Sequence, residues 1–81
     1  MPKIEYYNAR FLVDTLNYKT HIAWALNETE KYFIITATWN TLNWKTLIDK
    51  DVMRESNLEM HWKMVLHDFM EDLVKYEILA C

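Results

Sequence analysis

A chain of 81 residues has room for one core and not two, and 26% charged residues at a net charge of −3 give an ordinary acidic surface. Glycine is absent and Pro2 is the single proline, which excludes a Gly-rich phosphate loop, a dinucleotide fingerprint and a nucleophile elbow, since each needs glycine where backbone meets a ligand or turns sharply. Four Trp, five Tyr and three Phe supply the large buried areas from which so short a chain can build a core.

Residues 4–16 read as a first helix, with Ile4, Tyr7, Phe11 and Leu16 near one side, Leu12 adjacent, and Pro2 tolerated before or at the first turn. A strand there would put Asn8 and Arg10 in the middle of its buried face. The period then changes. Tyr18, Thr20, Ile22, Trp24 and Leu26 alternate with Lys19, His21, Ala23 and Ala25, the two-residue repeat of a strand with one large-residue face.

Residues 27–31 make a polar connection of hairpin length, and residues 32–39 a second strand rich in β-branched and aromatic side chains. Phe33, Ile35, Ala37 and Trp39 share one face of it; Tyr32, Ile34, Thr36 and Thr38 share the other. Without glycine, positive-φ turns fall to Asn17, Asn27, Asn40 or Asn43, and two-residue turns that demand glycine are disfavoured. Residues 40–48 suit either a third strand, through Leu42, Trp44, Thr46 and Ile48, or a short helix, through Trp44, Leu47, Ile48 and Val52; the strand is preferred. Residues 49–55 look like a charged surface connection.

The last third, residues 56–79, reads as the amphipathic helix on which the rest packs. Ser56 and Glu59 have the spacing of a capping box. Leu58, Trp62, Val65, Phe69, Leu73 and Tyr76 then recur every three or four residues, with Leu66 widening the stripe. Met60, Met64, His67, Glu71, Val74 and Ile78 lie away from it, which is more apolar surface than a purely solvated face carries. Two explanations compete: a helix covered on both flanks, or a contact with another chain, for which unbranched Met is well suited.

The sum is an α+β fold in a single domain over residues 1–81: an N-terminal helix, an antiparallel hairpin or three-stranded sheet, and a long C-terminal helix, with both helices on one sheet face. Trp24 or Trp39 should then meet the stripe of the last helix, leaving Tyr32 and Ile34 as a patch on the other sheet face. The order of elements is similar to that of the double-stranded RNA-binding domain, whose αβββα fold sets a basic second helix against phosphates. Residues 57–63 carry one lysine, Lys63, in place of a basic cluster, so the resemblance is one of topology and no residue is carried over.

Catalytic chemistry finds little support. His61 and His67 are six apart and project about 120° from each other on one helix, so they cannot share an ion there. His67 and Glu71, one turn apart, offer two metal ligands whose companions are not evident. Ser56 is explained by its cap, and Cys81 lacks a positioned base. No enzyme, cofactor or metal is expected. A lone cysteine, no apolar run of membrane length and no signal-peptide pattern at residues 1–5 point to the cytoplasm and away from a membrane.

The function expected is therefore that of a small protein-binding module, accessory or inhibitory in the style of proteins carried by phages and mobile elements, acting on another protein through Tyr32, Ile34, Met60, Met64, His67, Glu71 and Ile78. The alternative is a homodimer whose assembly is the function. Nucleic-acid binding, by stacking on Tyr18, Trp24, Tyr32 or Trp39, ranks third because the nine basic residues are scattered singly.

Overall fold

In a computed structural model that describes residues 3–54 and 57–80, with backbone only at 58 and 76–80, the chain forms α1 (Ile4–Lys19), β1 (Ala23–Glu28), β2 (Tyr32–Trp39), β3 (Leu42–Asp49), α2 (Lys50–Arg54) and α3 (Leu58–Ala80). The strands make an antiparallel sheet in the order β1-β2-β3. Both long helices cover one face of it. This is the α+β arrangement expected, with the 42–49 segment a strand and a short helix where a loop was expected.

The register explains how the helices attach. Trp24, Ala37 and Trp44 stand in one inward row, and the small Ala37 between two indoles leaves a gap that Phe69 of α3 fills. Its ring centroid lies 5.4 Å from each tryptophan, and the tryptophans are 6.2 Å apart, all edge-on. Both indole N–H groups find acceptors, Trp24 in the Thr20 hydroxyl at 2.9 Å and Trp44 in the Asp72 carboxylate at 2.8 Å. So Trp44, not Trp39, shares the helix contact with Trp24. Trp39 stands at the sheet end, 37% exposed.

Helix α1 is rotated from the face its sequence suggests. Ala9, Leu12, Val13 and Leu16 are buried, while Ile4, Tyr7 and Phe11 are about half exposed. Ala9 and Val13 are small enough to let the helix approach its neighbours closely, where Tyr7 and Phe11 would hold it off. Two asparagines fix the rotation: Asn8 donates to the Met53 carbonyl at 2.8 Å, and Asn17 both donates to the Trp24 carbonyl and accepts from the Trp24 N–H.

The same contacts shorten the first strand. The helix runs on through Tyr18 and Lys19, and Thr20 closes it by bonding Leu16 O through both its N–H and its hydroxyl. Pairing then begins at Ala23 and not at Tyr18. The inward parity of Ile22, Trp24 and Leu26 is kept, since all three belong to the core or pack on it.

A two-residue loop joins β2 to β3, because Trp39 pairs with Leu42. Asn40 takes φ 55° there, a conformation that asparagine tolerates better than most residues. Asn40 is one of the four asparagines to which a positive-φ turn was expected to fall, and the two-residue turn forms without glycine. Downstream, Asp49 accepts from the Asp51 N–H to start α2, whose Met53 is fully buried against α1. At the start of α3, Asn57 caps the helix by accepting from Glu59 and Met60 N–H. Ser56, the expected cap, lies outside the described residues.

Candidate functional site

The face of α3 turned away from the sheet is open. Met60, Met64, Met70 and Val74 are 47% to 57% exposed, which removes the reading in which this helix is covered on both flanks within the chain. Stepping at about 100° per residue puts Met70, Val74, His67, Met60, Glu71 and Met64 in one continuous sector about 120° wide. The Ile78 side chain lies outside the described residues. His67 Nδ1 is 3.7 Å from Glu71 Oε2 and 3.9 Å from Asp68 Oδ1, all three side chains more than half exposed. Their ligand atoms lie within 4.8 Å of one another, so these are the residues that could hold a metal ion, with water completing its shell.

A second apolar strip runs along α1. Ile4, Tyr7, Phe11 and Tyr18, the last 88% exposed, fall within about 60° of the helix circumference. Between this strip and α3 lies a groove of about 570 Å³, walled by Phe11, Thr15 and Tyr18 on one side and Glu59 and Trp62 on the other. The Trp62 ring has ammonium groups near it, Lys19 Nζ at 5.1 Å and Lys63 Nζ at 5.7 Å from its centroid. Periodicity puts Ile4, Tyr7 and Phe11 near one side of α1 with Leu16, and of the four only Leu16 is buried. The competing set Ala9, Leu12, Val13 and Leu16 repeats at the same helical interval, so periodicity alone does not choose between the two.

Tyr32 and Ile34 point from the other side of the molecule, since their neighbours Phe33 and Ile35 face the helices. Ile34 pairs across β3 with Leu47, which is 58% exposed and was not among the expected contact residues. The expected partner-binding residues therefore divide between two opposite surfaces: Met60, Met64, His67 and Glu71 outside the helix layer, and Tyr32 and Ile34 outside the sheet. Trp24, one of the four stacking platforms considered, is 5% exposed and unavailable to a nucleotide base.

A third feature was not signalled by the sequence. At the sheet end away from Asn40, the start of α1, the β1–β2 loop and α2 enclose an open cleft of about 930 Å³ with Phe33 and Tyr6 among its walls. Glu5, in the first turn of α1, lines it while only 4% exposed. Its carboxyl is held below the usual carboxylate range, chiefly by its own backbone N–H; desolvation opposes this, and the hydrogen bond and charge of Arg54 and the charge of Lys3 add to it. Arg54 is raised in turn, first by its hydrogen bond to Glu5.

No helix of the described residues is long and apolar enough to cross a membrane. In comparisons with known proteins, no protein-family model, no curated protein and no solved structure matches this chain.

Proposed function

We propose that the chain is a small, non-enzymatic protein-binding module that acts by occupying the surface of a partner protein, as an accessory or inhibitory subunit. The observation that supports this is the outer sector of α3, where Met60, Met64, Met70 and Val74 stand about half exposed on a rigid helix. Unbranched methionines adapt to a facing surface, and a helix presents them without the ordering cost of a loop. His67 and Glu71 inside the sector supply polar contacts that would orient a partner.

The test is a comparison of the chain with its Met60→Glu, Met64→Glu double variant. A partner captured by the chain from its own host, purified and titrated back, should bind the variant at least tenfold more weakly, the cost of burying carboxylates in an apolar interface. Equal binding by a variant with an unchanged circular dichroism spectrum would reject this face. Sedimentation equilibrium separates the alternative: a dimer that the same two substitutions return to monomer would make the partner a second copy of this chain.

A further inference from the structure

The outer face of α3 carries half of a metal site. His67 Nδ1 and Glu71 Oε2 are 3.7 Å apart, close to the roughly 3.4 Å between neighbouring ligands of a tetrahedral zinc ion with bonds of about 2.1 Å. Both side chains are more than half exposed, so an ion reaches them from solvent without disturbing the core. A closed zinc site takes four ligands of these kinds, imidazole nitrogen and carboxylate oxygen among them. The helix supplies two in line; Asp68, although within 4.8 Å, projects about 60° further round the helix than Glu71.

Helix geometry shows where the other two ligands come from. A second α3 can lie antiparallel across this face, with a two-fold axis midway between positions 67 and 71. His67 and Glu71 then stand about 3 Å to either side of that midpoint along the helix, and about 20° to either side of the line joining the two helices. The two-fold reverses the first displacement and keeps the second. The four side chains therefore occupy alternate corners of a box, which is the arrangement of a tetrahedron, with each His67 level with the Glu71 of the other copy. The same operation sets Met64 level with Val74 of the second copy on both sides of the ligands. Both are just over half exposed in the single chain, and paired they form apolar layers that close over the ion.

We propose that His67 and Glu71 from two copies of this chain hold one zinc ion, which joins the copies through the Met64 and Val74 face. Zinc fits better than magnesium or calcium, which take oxygen ligands in sixfold or higher coordination. The metal is needed, because a single helix face offers far fewer than the roughly 20–30 residues a side of a stable interface. The proposal rests on the reading of this face as a contact surface and adds its regulation: with zinc a second copy covers the face, and without zinc it is open to another protein.

The experiment is sedimentation equilibrium of the full chain in EDTA, in magnesium chloride and in zinc chloride, with the bound zinc assayed. A monomer is expected in EDTA and in magnesium, and in zinc a dimer holding one ion per two chains. His67→Ala and Glu71→Ala, at exposed positions, should each leave the chain monomeric at the same zinc concentration, with an unchanged circular dichroism spectrum. Cys81→Ser and His61→Ala lie outside the four ligands and should still dimerise. A native chain that stays monomeric in zinc would overturn the proposal without any variant. So would a dimer equally strong in EDTA, a zinc dimer that survives His67→Ala, or one lost with Cys81→Ser. Titration of the captured partner in EDTA tests the partner reading separately, so either can fail alone.

Discussion

At the scale of single residues, Glu5 is the group whose charge state the fold senses. Its folded pKa is lowered, chiefly by its own backbone N–H, with Arg54 and Lys3 contributing further against desolvation. The ionised form is therefore favoured by folding. The sign follows: Glu5 contributes stability that is complete above its unfolded pKa of about 4.3 and is lost as pH falls through the lower folded value. Urea midpoints taken from about pH 6 downward should fall more steeply for the native chain than for Glu5→Gln, the two curves converging at the acid end. Parallel curves would mean that neither the Glu5 backbone N–H nor Arg54 and Lys3 favour the ionised carboxyl on folding. Exposed pairs such as Arg10 with Asp14 and Lys63 with Glu59 should not affect the comparison, because solvent screens them.

At the scale of elements, local signals and tertiary ones part company. The β2 strand matches its expected bounds at both ends, because alternation of β-branched and aromatic residues through Tyr32 to Trp39 is a local property of the chain. The strip of Val65, Phe69 and Leu73 on α3 was equally legible, and so was the exposed Met60 and Met64 face as one of two options. The rotation of α1 was not, since two stripes of equal period compete on it, and the choice is made by Asn8 and Asn17 reaching residues 45 and 7 positions away. The Glu5 cleft was invisible for the same reason: α1 and α2 lie far apart in sequence and meet only in the fold. The cap of α3 tests the local side of this division. Asn57→Ala should cost about 1 kcal/mol, read as a shift in the urea midpoint, with the folded helical signal otherwise retained. A change within error would show that another group takes over those N–H donors.

At the scale of the whole molecule, the core is shared by every element, and its hinge point is aromatic. Phe69 enters between Trp24 of β1 and Trp44 of β3, so α3 cannot leave without uncovering the inner faces of both outer strands, while α2 and α1 are joined through Met53 and Asn8. A chain built this way should unfold as one unit despite the long, half-exposed last helix. Tryptophan fluorescence, which reports mainly the aromatic core, and far-ultraviolet circular dichroism, which reports the helices, should give coincident urea transitions. Phe69→Ala should lower stability by about 3–5 kcal/mol in both signals together, because it removes a fully buried ring and leaves a cavity between two indoles. Met60→Glu with Met64→Glu should change stability by only about 0.5 kcal/mol per site, since both side chains stand over half exposed. Transitions that do not coincide would show α3 loosening from the sheet as a separate step. In that case the exposed methionines would belong to a segment that docks loosely, and the rigid presentation on which partner binding depends would be gone.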